Sequence, residues 1–309
     1  MGLWRREDPV QRVIPKVKSL MSGLSRELKR LSWKGAPSDQ QDHDRHALDG
    51  RAVFAIGDIH GCLDLLDGLL EGIKVATARD EQPPLIIFLG DYVDRGPGSR
   101  GVIDRLIAVA ESYRGARFLC GNHEEAMVRF LADPQGGPAW STYGGRATML
   151  SYGVRPPGRN ADDAAWARAQ QKLNARIPPA HLKFLWGLED SVEVGDYFFA
   201  HAGVHPDKPL QSQASRDLRW IREPFLSNDQ PLEKMIVHGH TPSLKPHADR
   251  ARIGVDTWAY KTGVLTALEL RGRRRRYLVA RRDGASIRVR RCALRDFEPT
   301  PPGPGLPNP

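Results

Sequence analysis

Five short segments hold the side chains with which this chain could do chemistry. They are Gly57-Asp58-Ile59-His60-Gly61, Gly90-Asp91-Tyr92-Val93-Asp94-Arg95-Gly96, Gly121-Asn122-His123-Glu124, Ala200-His201-Ala202-Gly203 and His238-Gly239-His240-Thr241-Pro242. Together they offer carboxylates, an amide and imidazoles, a mixed O/N donor set that suits Mn, Fe or Zn ions. With only three cysteines in the chain there is no thiolate set for a structural zinc site. Any one of these segments alone reads as a turn with a capped polar residue. All five in one chain read as a cation centre.

The elements that must position them are legible in the apolar pattern. Ala52–Ile56, Leu85–Leu89 and Phe118–Cys120 are short apolar runs, each ending at a glycine that opens one of the first three segments. Behind each run, apolar residues recur at helical spacing: Leu63, Leu66, Leu69, Leu70 and Ile73; then Val102, Leu106, Val109 and Ala110; then Met127, Phe130 and Leu131. Buried strands alternating with amphipathic helices predict an α/β sheet. Further strands are predicted at Tyr197–Ala200, Met235–His238, Arg252–Val255 and Val264–Leu268, and a hairpin around Asp283-Gly284. Ligands gather outside the carboxyl ends of the strands of such sheets, so the five segments can converge. Residues 134–187 are punctuated by Gly and Pro, with helical pieces at Ala164–Leu173 and Pro179–Leu188, and read as a cap.

As a set, the segments resemble the phosphoprotein phosphatase family within the calcineurin-like metallophosphoesterases, over roughly residues 50–270. The resemblance implies two mixed β-sheets flanked by helices, with a helical cap from about 133 to 190. It also implies two divalent metal ions, with Mn expected and Fe or Zn as alternatives. By position, Asp58 and His60 would bind the first metal, Asp91 would bridge the pair, and Asn122, His201 and His240 would bind the second. A carboxylate-bridged pair of cations acidifies a shared water, so the expected reaction is direct attack of a bridging hydroxide on a phosphomonoester, with no phosphoenzyme. His123 matches the family's general acid and Asp94 the carboxylate that orients it. Arg95 matches one phosphate-binding arginine; Arg222, in Trp220-Ile221-Arg222-Glu223, resembles the second.

The substrate class stays open between two readings. Asp94 before Arg95, Glu124 after His123, and the run Trp140-Ser141-Thr142-Tyr143-Gly144-Gly145 look like a serine/threonine phosphoprotein phosphatase, whose substrate would be a phosphorylated protein. The alternative is a symmetrical diadenosine tetraphosphate hydrolase acting on dinucleoside polyphosphates. Many protein phosphatases resembled here have an arginine where this chain has Cys120. A non-catalytic phosphate-binding or scaffold protein is the reading from another class, and no ligand position has been lost in its favour.

Composition bounds the rest. The chain has 309 residues, long enough for a sizeable core, and a formal net charge of +9. That charge sits at the ends: residues 271–309 hold eleven basic and three acidic residues, whereas 50–270 are slightly acidic. The expected organisation is therefore a basic amphipathic helix with a polar linker (1–49), a catalytic domain (50–270), a basic hairpin extension (271–297) and a disordered Pro-rich tail (298–309). Apolar residues every three or four positions over 10–34, interleaved with Arg and Lys, could lie on an anionic membrane, dock on a partner or pack on their own domain. The Arg-rich C-terminus could contact nucleic acid or anionic lipid, though it lacks interleaved aromatic residues for base stacking. No secretory leader or membrane span is visible, so the expectation is a cytoplasmic protein, peripheral at most to the inner membrane surface. Cys62 and Cys120 flank the motifs and are read either as acidified thiols or as small apolar packing residues. His238 is read as support for the ligands or as plain packing; His43, His46, His181, His205 and His247 belong to no motif.

Overall fold

The structure is a computed structural model that describes residues 40–41, 45–158 and 160–301. The helix expected over 10–34 and the end of the Pro-rich tail lie outside the described residues. Two mixed sheets form the framework. The first contains β1 (Gln40–Gln41), β2 (Val53–Ile56), β3 (Leu85–Phe88), β4 (Ala116–Phe118), β10 (Val264–Arg271), β11 (Arg274–Asp283) and β12 (Ser286–Cys292), in the order β1-β11-β10-β2-β3-β4, with β12 also on β11. The second contains β5 (Ser191–Val194), β6 (Tyr197–Ala200), β7 (Met235–His238), β8 (His247–Ala248) and β9 (Arg252–Gly254), in the order β5-β6-β7-β9-β8. Strands β2, β3 and β4 are parallel, as are β6, β7 and β9; the outer strands are antiparallel.

The parallel strands explain the unbroken apolar runs. β2, β6 and β7 are buried at every position, because each has a covered face on both sides. Val53, Ala55, Ile87 and Leu89 of the first sheet meet Val192, Val194, Tyr197, Phe199, Val237 and Ile253 of the second in one apolar cluster. Phe54, Ile56 and Phe88, their alternates, are buried on the opposite face. Helix α1 (Leu63–Ala76) packs its Leu65, Leu66, Leu69 and Ile73 side against β10–β12; α2 (Ser99–Ser112) and α3 (Asn122–Ala132) follow β3 and β4. The cap contains α4 (Gly137–Trp140), α5 (Arg146–Ser151), α6 (Asp163–Arg176) and α7 (Pro179–Trp186). Two further short helices among the described residues are α8 (Ser215–Trp220) and α9 (Ala259–Thr262).

Three details differ from the sequence expectation. β4 stops at Phe118; Leu119 forms an isolated bridge with Glu189, whose carbonyl accepts the Cys120 N–H. β5 and β8 were not expected; they are short edge strands with exposed positions, which leave no apolar run. β11 is ten residues long and pairs with all eight residues of β10, so the Arg-rich hairpin continues the first sheet, turning at Gly284 with φ 61°. Among the described residues, no helix is long and apolar enough to cross a membrane.

Candidate metal centre

The two sheets bring the five segments to one place. Asp58 and His60 follow β2, Asp91 to Arg95 follow β3, Asn122 and His123 open α3, His201 follows β6 and His240 follows β7. Asp58, His60, Asp91, Asp94, Asn122, His123 and His201 are all buried, and His240 is nearly so. The backbone is strained to achieve this. Among the described residues, six other than glycine have positive φ: His60, Asp91, Asp94, Arg95, His240 and Trp258. Such conformations cost roughly 1–3 kcal/mol each and persist only where the surroundings over-determine them. Five of the six are residues nominated from sequence. At His240, φ of 60° also breaks strand alternation, so His238 and His240 do not share a face.

Two His/Asp clusters share Asp91. His60, Asp91 and His123 form one, and Asp91, His201 and His240 the other, with ligand-competent atoms within 4.8 Å of one another in each. Asp91 Oδ2 lies 3.6 Å from His60 Nε2, and Asp91 Oδ1 lies 3.4 Å from His201 Nε2. Asn122 Oδ1 is 3.0 Å from His201 Nε2 and 2.9 Å from His240 Nδ1. Asp58 accepts the backbone N–H of His240 at 3.1 Å. Gly239 allows that approach, since a Cβ there would stand 2.0 Å from Asp58 Oδ1.

The donor chemistry fits cations. His60 Nδ1 faces the Val93 carbonyl at 2.8 Å and His201 Nδ1 faces the Leu89 carbonyl at 2.8 Å, so in each ring that nitrogen must carry the proton. The other nitrogen then points a lone pair at oxygen atoms of Asp91 or Asn122, which have only lone pairs to return. Burial pushes both imidazoles below their usual range, and takes His240 down to about 2, so protonation does not relieve the opposition. A cation held by these atoms would. Burial alone would raise Asp91, but His201, His123, His60 and His240 together hold it below the ordinary carboxylate range.

Beside this cluster lies a second arrangement. His123 Nδ1 donates to Asp94 Oδ2 at 2.7 Å, and His123 Nε2 lies 3.3 Å from Arg95 Nη2. Burial would lower His123, yet Asp91 and Asp94 outweigh it and raise the imidazole above its usual value. Arg95 is held by Tyr260 Oη at 2.9 Å and by the Tyr143 carbonyl at 3.3 Å. Its backbone N–H donates to Gly144 O, where a side chain would not fit: φ is 117° and a Cβ would sit 2.7 Å from Arg95 Cγ. Arg222 is exposed just beyond α8, and its charge reaches His240. Its neighbour Arg219 is engaged elsewhere, with Asp190 and Glu125.

Glu124, Trp140, Thr148 and Asp256 were not among the site residues nominated from the sequence. Glu124 accepts four backbone N–H groups, those of Asp91, Tyr92, Val93 and Gly121, at 2.8–3.2 Å, and so shapes the Asp91 turn. Trp140 and Thr148 of the cap hold Asp94 at 2.9 and 2.6 Å. Asp256 follows β9 and hydrogen-bonds Asp58; burial raises it to about 6, and burial, Asp256 and Asp91 raise Asp58 in turn. A polar residue at the carboxyl end of an apolar strand marks Asp256 just as it marks the other five segments. His238 is buried against Phe225 and donates to Gly239 O at 2.9 Å, the packing role. Burial raises both Cys62, to about 11, and Cys120, so neither thiol is acidified. His181, outside every motif, is buried and bridges Tyr152 and Asp104.

The family model for calcineurin-like phosphoesterases matches residues 52–265. The chain is 32% identical over 227 residues to serine/threonine-protein phosphatase 1 of Salmonella typhimurium, covering 71% of this chain and 92% of that protein. It is 27% identical over 241 residues to an asymmetrical bis(5′-nucleosyl)-tetraphosphatase of Anoxybacillus flavithermus, covering 69% and 88%. A metallophosphoesterase of known structure from Sphaerobacter thermophilus superposes with a TM-score of 0.39 at 17% identity, over 72% of this chain and 87% of that one. The family match spans most of the two-sheet framework and every segment of the cluster around Asp91, and this chain belongs to the calcineurin-like phosphoesterases.

Proposed function

We propose that the chain is a metal-dependent phosphomonoesterase of the serine/threonine phosphoprotein phosphatase type. The observation that carries this reading is Asp91 shared between two His/Asp clusters, with the His123–Asp94 pair beside it. Asp58, His60 and Asp91 would hold one divalent cation; Asp91, Asn122, His201 and His240 would hold the other, with Mn the first expectation. Such cations supply an acidified water and neutralise phosphate charge. The chain's own residues do the rest. Arg95, locked by Tyr260 and Tyr143, presents a guanidinium fork for phosphate oxygens, and Arg222 offers a second from solvent. His123 would give the leaving oxygen a proton from Nε2, the atom that accepts from Arg95 Nη2 at 3.3 Å until that guanidinium turns to phosphate, while Asp94 keeps the ring oriented and stabilises its charged form.

Asp94 and Glu124 support the phosphoprotein reading over the dinucleotide one, as does the greater identity to the Salmonella protein phosphatase. The second reading is a dinucleoside polyphosphate hydrolase. Its support is the named activity of the Anoxybacillus relative, which is asymmetrical rather than the symmetrical type considered from sequence. Relative kcat/KM on a phosphoserine peptide and on diadenosine tetraphosphate separates them. A higher value on the peptide supports the phosphatase; a preference for the dinucleotide of tenfold or more overturns it.

A further inference from the structure

Of the six described residues other than glycine with positive φ, the one not nominated from sequence is Trp258, with φ of 61°. A bulky side chain in the left-handed region is strained, and the neighbouring contacts show what the strain achieves. The Asp256 carboxylate accepts the Trp258 N–H at 2.8 Å. The one-turn helix α9 that follows is tied back by Thr262, whose hydroxyl donates to the Thr257 carbonyl at 2.7 Å. The Lys261 ammonium lies over the indole, 4.2 Å from its centroid. The indole Nε1 is thereby aimed at Tyr260 Oη, 2.9 Å away.

Tyr260 Oη receives a second donor, Arg95 Nη1, also at 2.9 Å. An indole N–H and a guanidinium can only donate, so the tyrosine oxygen accepts from both. Its own hydrogen has no acceptor among the described residues, although the residue is half-buried. The ring stands edge-on to His60 with centroids 5.4 Å apart, and Arg95 Cζ is 5.1 Å from its centroid. Tyr260 therefore sits at one end of the Arg95 fork, and His123, 3.3 Å from Nη2, sits at the other. Accepting two N–H groups polarises the hydroxyl and makes its O–H the stronger donor.

We propose that the Tyr260 hydroxyl is itself a phosphate-binding group, donating its O–H to a non-bridging oxygen of the substrate phosphate. Arg95 Nη1 stays on the tyrosine oxygen while Nη2 turns from His123 to the same phosphate. The proposal rests on the phosphomonoesterase reading for where the phosphate lies, beside Arg95 and the cluster around Asp91. No proton leaves Tyr260; only a hydrogen bond forms, and the leaving oxygen is served by His123. An O–H donated to a phosphate dianion is a charge-assisted bond, and holding the hydroxyl in advance lowers the ordering cost of binding. Trp258 is then a positioning residue that acts through Tyr260.

The test is isothermal titration of the Mn-loaded protein with orthophosphate, paired with kcat/KM on a phosphoserine peptide and on p-nitrophenyl phosphate. Wild type, Tyr260→Phe, Arg95→Ala and the double variant are compared. Tyr260→Phe keeps the ring and should weaken orthophosphate binding roughly tenfold. It should lower kcat/KM by a similar factor on both substrates, because the hydroxyl serves the phosphate and not the leaving group. The loss should persist in the Arg95→Ala background. A Tyr260→Phe effect that vanishes there means that Tyr260 only holds Arg95, and overturns the proposal. A loss on the peptide about tenfold or more beyond that on p-nitrophenyl phosphate also overturns it, since the hydroxyl would then act on the leaving group. Trp258→Phe keeps Tyr260 but removes the N–H that aims it, and gives a second reading should Tyr260→Phe fail to fold. Orthophosphate binding is then expected to weaken about threefold, and unchanged binding overturns the proposal. A wild type without turnover on either substrate contradicts the phosphomonoesterase reading, whereas the orthophosphate titration still decides the role of Tyr260; a wild type that binds no orthophosphate overturns that role.

Discussion

Trp140 Nε1 donates to Asp94 Oδ2 at 2.9 Å, the same oxygen that accepts from His123 Nδ1 at 2.7 Å. The cap thus holds the carboxylate that holds the imidazole. Thr148 supports the other oxygen at 2.6 Å, and the Asp94 N–H is spread over Ser99 and Thr148. Trp140→Phe removes one bond and little volume. Steady-state kinetics should show kcat lowered by about fivefold, the equivalent of about 1 kcal/mol, with KM within twofold. An unchanged kcat would mean that the cap does not position His123.

The acid role proposed for His123 makes the effect of its loss depend on the leaving group. His123→Gln should lower kcat by roughly 10²–10⁴ on an alkyl phosphate such as phosphoserine, whose alkoxide needs the proton. On p-nitrophenyl phosphate, whose leaving group is stable as an anion, the loss should be much smaller. Equal losses on both substrates would assign His123 to binding.

Glu124 turns the Asp91 loop through four N–H groups, two to each oxygen. In Glu124→Gln an amide NH₂ faces two of those donors and leaves them unpaired in a buried site. A stability loss of roughly 2–6 kcal/mol follows from ~1–3 kcal/mol per buried unpaired donor. Chemical denaturation of the two proteins measures it, and a loss under ~1 kcal/mol would contradict this role.

Burial takes His238 down to about 3, against an unfolded value near 6.5. Between those values the unfolded chain binds a proton that the folded chain refuses, so stability falls as pH falls below about 6.5. From pH 7 to pH 5 this one residue should withdraw about 2 kcal/mol. Denaturation curves of wild type and His238→Gln at both pH values isolate the effect. The wild type should lose stability relative to the variant on acidification; parallel pH profiles would show that His238 takes up protons freely in the fold.

The strands and their order of chemistry were legible because β2, β6 and β7 are buried at every position and β3 at all but its first, and strands covered on both faces are apolar, here up to the His238 that closes β7. Each then ends abruptly at a polar residue, which is why Asp58, Asp91, His201 and His240 stood out. What was not legible depends on contacts between distant segments. Nothing in the spacing of Trp140 and Thr148 says that they meet Asp94, some fifty positions earlier in the chain. Asp256 was visible by the same strand-end rule but lay outside any recognised motif. The positive φ at five site residues is a property of the closed structure, and only the flanking glycines hinted at it.

The most direct test of the account is the metal content of purified wild type and Asp91→Asn protein after loading with Mn and gel filtration, read by elemental analysis. Asp91 is the residue common to both clusters. The account predicts close to two ions per wild-type chain and a loss of at least one from the variant, with turnover falling in step. A wild-type chain that retains no divalent ion, or an Asp91→Asn chain that keeps both ions and full activity, would contradict it.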